Sequence, residues 1–190
     1  MRDEERQAPD RAPGQRETPE VHPAEMRAPR ITVLGVGNTL MGDDGVGVAV
    51  VEGLPARLLG PQVEVVIGAT AGMGLVKYFR TSDVVIVVDA IATQAEPGAI
   101  FRFDPDEAGI MNLRSNNIHG MGVPYLVTNA RLAGADPDVV VFAVQIGDVR
   151  PHDRVLTPGV EAAVPRVREV VLEEVGTRLG KVIQVPQGRG

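Results

Sequence analysis

The sequence predicts an α/β protein, a single domain whose twisted, mostly parallel central sheet is sandwiched between helices. Three observations carry this prediction. Short Val- and Ile-rich runs of strand type alternate along the chain with stretches whose apolar residues recur at helical spacing. One of these runs, Val84-Val85-Ile86-Val87-Val88, is apolar without interruption, as in a strand buried on both faces. A chain of 190 residues with 44% hydrophobic content is also long enough for one substantial core and short for two.

The first strand is expected over 31–36, where Ile31, Val33 and Leu34 supply apolar bulk before the glycines of the next turn. A helix follows from Asp44 to about Leu59. Carboxylates suit its N-terminus, Val46, Val50 and Leu54 share one face, and Pro55 interrupts it. Strands at 63–67 and 84–89 flank a second helix over 72–81, and a short strand at 99–103 follows the turn signal Glu96-Pro97-Gly98. A third helix is expected over 121–133 and a further strand over 139–146. The last helix opens with Thr157 as N-cap and Pro158 at its first position, and Val160, Val164, Val167, Val171 and Val175 form an apolar stripe that reads as core. The domain is thus expected over 31–180, with 181–190 as a C-terminal tail.

Residues 1–30 are a different kind of polymer. Five prolines among many charges, with no aromatic residue, cannot bury enough surface to offset the entropy of ordering. The segment reads as a disordered tail, with a docking arm as the functional alternative.

Composition excludes several chemistries. The chain has no Cys, which removes disulfides, thiolate nucleophiles and cysteine zinc sites, so any metal must be held by carboxylate and imidazole. A net charge of −6 argues against nucleic acid or an anionic membrane as partner. No apolar run reaches membrane-spanning length and the N-terminus lacks the plan of a signal peptide, so the expected location is cytoplasmic.

The stretch Ile31 to Gly47 is the most informative. An apolar strand empties into a glycine-rich turn that carries two adjacent carboxylates, Asp43 and Asp44. The spacing invites comparison with the dinucleotide fingerprint, but Leu40 stands where a third glycine belongs, and no acidic residue closes the run Val63 to Ile67 to hold a ribose. A site built around Asp43 or Asp44 is the better reading. In parallel sheets sites gather outside the carboxyl ends of the strands, which selects Asp89 at the end of the Val84–Val88 run. Its structural alternative is to cap a neighbouring loop or helix. His119, in a glycine-flanked loop before the third helix, is the imidazole that competes for the same crevice, with a plain surface histidine as the alternative. Two carboxylates and an imidazole on converging loops suit nickel or zinc. The same residues also admit acid and base catalysis by paired carboxylates without a metal.

The segment GVGNTLMGDDGVG resembles the N-terminal signature of the nickel-iron hydrogenase maturation endopeptidases. The resemblance continues through Thr70-Ala71-Gly72-Met73, the VVIVVDAI run with Asp89, Pro97-Gly98 before a short strand, and His119-Gly120-Met121-Gly122 before a helix. It covers essentially all of 31–175. It implies an α/β fold and an endopeptidase that removes a C-terminal extension from the hydrogenase large-subunit precursor once nickel has been inserted there. The family's metal-contacting positions fall on Asp44, Asp89 and His119. Asp44 stands where glutamate is frequent and is one methylene shorter, and Ile67-Gly68-Ala69 is less polar than the family's usual approach to Thr70. The resemblance further implies that the nickel is chiefly the substrate's, bridged by Asp44, Asp89 and His119, with a metal-bound water or a carboxylate base, Asp43 or Asp44, driving hydrolysis. Nickel, zinc or cadmium supplied in solution is expected to occupy the same site. Rival readings are a nucleotide- or metabolite-binding module, or a general metallopeptidase on the same fold.

Overall fold

The computed structural model describes residues 27–105, 122–181 and 183. A five-stranded sheet has the order β2-β1-β3-β5-β4, with β1 Ile31–Val36, β2 Val63–Ala69, β3 Val84–Ile91, β4 Ile100–Phe103 and β5 Asp138–Gln145. β2, β1, β3 and β5 pair in parallel, and β4 closes one edge antiparallel to β5. Four helices of more than one turn cover it among the described residues: α1 Val46–Glu52, α2 Val76–Thr81, α3 Val123–Leu132 and α4 Pro158–Leu179.

Alternation along β3 decides which face each residue serves. Val84, Ile86 and Val88 join Val46, Val50 and Val51 of α1 and the valine stripe of α4 in one core. Val85, Val87 and Ile91 join Phe79 of α2 and Val123, Leu126 and Val127 of α3 in the other. The uninterrupted apolar run is therefore a strand buried on both faces, as the sequence predicts. Because side chains alternate, Asp89 must fall on the α2–α3 side.

Several bounds differ from the sequence reading for identifiable reasons. α1 stops at Glu52, with Gly53 rather than Pro55 at its C-terminus, and only a single turn, Ala56–Leu59, follows the proline. Arg168 donates to the carbonyls of Ala49 (2.7 Å) and Val50 (3.0 Å), tying that helix end to α4. β3 does not end at Asp89. It runs on to Ile91 because β5 continues to pair with it through Gln145, whereas pairing with β1 ceases at Val88. α4 accommodates Pro165 on its exposed side, where water reaches the carbonyl that loses its partner.

The first described residues are fastened to the sheet. Asp83 accepts hydrogen bonds from the Arg30 backbone (2.7 Å) and from the Arg27 side chain (2.8 Å), so the end of the Pro-rich segment is fastened to the start of β3. These bonds outweigh burial and hold the Asp83 carboxyl below its usual range. At the other end Lys181 folds back, its Nζ donating to the Leu59 carbonyl at 3.0 Å. Among the described residues no helix is long and apolar enough to cross a membrane.

Candidate active site at the β1–β3 switch point

The strand order reverses between β1 and β3. The chain leaves β1 toward β2 through α1 on one face, then returns through α2 on the other face to place β3 on the far side of β1. A crevice opens where two such connections part, outside the carboxyl ends of the strands. Here it is a pocket lined by Val36 and Gly37 at the end of β1, Ala69 and Thr70 at the end of β2, Asp89 on β3, Leu75, and Gly122 and Leu126 at the start of α3. Asp44 lines the same pocket.

Local chemistry explains how each carboxylate gets there. After β1 the backbone turns through Gly37 at φ 128°, a conformation open to glycine, and a β-carbon there would strike the Asp44 carbonyl. The Asn38 side chain accepts from the Leu40 N–H at 2.9 Å, closing the turn locally, and the Asn38 N–H donates to Asp44 Oδ2 at 2.8 Å. A short 3₁₀ turn, Gly42–Gly45, then carries both carboxylates into α1. Gly47 seats this first turn across the sheet, since a β-carbon there would collide with the carbonyls of Val36 and Val88.

β2 reaches the pocket through an irregularity. Ile67 pairs with Gly35 but Ala69 pairs with Val36, leaving Gly68 as an extra residue, and Ala69 takes a left-handed φ of 43°. Bulges of this kind re-aim a strand end, and strained backbone of this kind clusters at functional sites.

The two neighbouring aspartates have opposite surroundings. Asp43 is fully buried, and its carboxylate accepts from the Thr157 N–H (2.6 Å) and hydroxyl (2.8 Å) and from the N–H groups of Gly147 (2.8 Å) and Asp148 (3.0 Å). Burial alone would push its carboxyl up, but these hydrogen bonds outweigh it and hold the group below the ordinary carboxylate range. The Thr157 hydroxyl thus serves Asp43 and makes no capping bond to α4. Asp89 is pushed the other way, to about 7, chiefly by burial and further by the charge of Asp44, while the Ala90 N–H (2.8 Å) opposes the shift.

The sequence-derived candidates therefore divide. Asp44 and Asp89 meet at one pocket, and Asp43 points away from it into the β5–α4 connection. His119 lies outside the described residues, which resume at the pocket-lining Gly122. Among the described residues no three His, Asp or Glu side chains cluster as metal ligands do. Sequence reasoning did not find Thr157, Gly147 and Asp148 as partners of Asp43, because the carboxylate lies 104 to 114 residues away in the chain.

Comparison with known proteins agrees with this architecture. The sequence model described as hydrogenase maturation protease matches residues 48–174. The hydrogenase 2 maturation protease of Escherichia coli (strain K12) is 34% identical over 146 residues, spanning 75% of this chain and 88% of that protein. The structure of the hydrogenase maturating endopeptidase HybD from E. coli superposes with a TM-score of 0.69 at 33% identity, covering 77% of this chain and 91% of that one. The solution structure of an endopeptidase from Escherichia coli gives a TM-score of 0.67 at 32% identity, covering 78% and 93%. A sequence model matched over most of the chain, a shared fold and this level of identity together establish that the chain belongs to the hydrogenase maturation protease family and is a hydrolase.

Proposed function

We propose that this chain removes the C-terminal extension of a nickel-iron hydrogenase large-subunit precursor after nickel insertion, and that the nickel carried by the precursor is the element its site reads. One observation carries the reading: Asp44, in the turn that follows β1, and Asp89, near the end of β3, reach a single pocket, and burial together with the charge of Asp44 pushes the Asp89 carboxyl up to about 7. A divalent cation between the two carboxylates reverses the repulsion and favours the ionised form. His119, three positions before the pocket-lining Gly122 in the chain, supplies the imidazole that completes a donor set suited to nickel or zinc.

Nickel belongs to the substrate in this scheme. Asp44 and Asp89 grip it and thereby present the neighbouring peptide bond, so that positioning supplies a large part of the rate. Hydrolysis adds a water molecule across that bond, hydroxyl to the carbonyl carbon and proton to the departing amine. Asp43 is poorly suited to act as the base, because four donors already occupy its two oxygens. The rival phosphate-binding reading is disfavoured at the same turn. The Asn38 N–H, a natural donor to a phosphate, is engaged by Asp44.

The test is cleavage of purified precursor with and without nickel, scored by the mass of the released C-terminal peptide. Cleavage of the nickel-loaded form alone is expected. Equal cleavage of both forms overturns the role given to the metal.

A further inference from the structure

We propose that Asp43 is a positioning residue: its buried carboxylate fastens the Gly42–Gly45 turn to the connection between β5 and α4, and so fixes where Asp44 stands in the pocket. The assignment rests on the role proposed above for Asp44.

Among the described residues every donor to the Asp43 carboxylate comes from that connection. Gly147 and Asp148 give backbone N–H groups from its beginning, and Thr157 gives its N–H and hydroxyl from its end. The carboxylate therefore ties the two ends of the connection to each other and to the turn. The backbone adds two bonds in the opposite sense, from the turn to the connection: the Gly42 N–H donates to the Asp153 carbonyl at 2.9 Å, and the Asp43 N–H to the Asp148 carbonyl at 3.3 Å. Arg150 stiffens the connection from within, bridging Asp153 at 2.7 Å and donating to the Val155 carbonyl at 2.7 Å.

Asp44 is one residue from this anchor. On its other side the Asn38 N–H holds its carboxylate, and its carbonyl lies against Gly37. The pocket-facing aspartate is thus fixed between the turn after β1 and a connection that contributes no lining residue to the pocket. A buried carboxylate that accepts four hydrogen bonds rigidifies what it joins, and losing one donor shifts the remainder. For a group that must meet a reacting centre, a displacement of an ångström at such a support is felt in the rate.

Steady-state processing of the purified precursor by the full-length chain and its variants tests this, at a temperature where thermal melts show each variant folded. Asp43→Asn keeps the shape and replaces one acceptor oxygen with a donor; kcat/KM should fall about 10²-fold. Thr157→Val keeps Asp43 and its charge but removes one donor from the support; kcat/KM should fall about tenfold. Thr157→Ser retains the hydroxyl and should stay within about twofold of the unaltered protein. The pattern of loss with Val and recovery with Ser is the expected result. A folded Thr157→Val variant with unaltered kcat/KM overturns the proposal, whether Asp43 then proves to be a base or simple core filling. All rates are ratios on one substrate, so equal cleavage of nickel-free and nickel-loaded precursor would count against the metal reading while these ratios still judge Asp43.

Discussion

Asp44, in the turn that follows β1, and Asp89, on the adjacent parallel strand β3, bear on one pocket, and the charge of Asp44 adds to burial in pushing the Asp89 carboxyl up to about 7. Asp89→Asn is the substitution that separates function from stability at this site. It keeps the shape and removes the charge that a metal would meet, so processing of the precursor should be lost. Stability should move the opposite way. A carboxyl whose folded value lies above its unfolded value of 3.8 weakens the fold as pH rises between the two, because the unfolded chain gives up its proton first. In the metal-free protein at pH 8, the Asn variant should be more stable by about 4 kcal/mol, and near pH 4 the two should converge. Urea unfolding at both pH values measures this, and a variant less stable at pH 8 would contradict it.

Asp43 has the opposite sign. Its folded value lies below the unfolded 3.8, so its contribution is fully present above that value and is lost as pH falls through the folded one. Asp43→Asn should cost about 2–4 kcal/mol at pH 7. The difference from the unaltered protein should begin to shrink below pH 3.8, where the unfolded chain takes up its proton, and go on shrinking until pH passes the lower folded value. Denaturant midpoints across an acid series would show a constant gap if the hydrogen-bonded charge were irrelevant.

Gly47 should tolerate no side chain. A β-carbon there meets the carbonyls of Val36 and Val88, which are backbone and cannot rotate away. Gly47→Ala is expected to destabilise by about 3 kcal/mol or more, since α1 must lift from the sheet. A melting temperature within a few degrees of the unaltered protein would show that the helix start has slack.

Nickel, zinc or cadmium in solution should bind where Asp44 and Asp89 meet. Neutral imidazole is the ligating form, so a contribution from His119 should weaken as acid protonates the ring. Calorimetric titration of the unaltered chain and of His119→Ala measures it. Equal affinities would remove His119 from the site.

Truncation should separate two roles near the N-terminus. A chain beginning at Arg27 retains both arginines that bond Asp83, and should melt like the full chain. One beginning at Ile31 loses them, at a cost of about 1 kcal/mol because these bonds are exposed. Indistinguishable melting of the two shortened chains would make Asp83 a bystander.

What the chain determines by itself is the order and type of its elements and the identity of its chemistry-bearing residues. Val84 to Val88 can only be a strand covered on both faces, and the valine spacing of α4 can only be one buried stripe, because these patterns are periodic and local. Asp44 and Asp89 are legible for the same reason: each follows an apolar run into a turn or strand end, and parallel sheets place such ends together. The tertiary structure alone decided that Asp43 and Asp44, neighbours in sequence, part company. Asp43 is claimed by donors more than a hundred residues away, while Asp44 turns to the pocket. It also decided that β3 outruns Asp89, since strand length is set by how far β5 keeps pairing rather than by where apolar residues stop. Hydrogen bonds between distant segments have no period along the chain, so no window of sequence carries their signature.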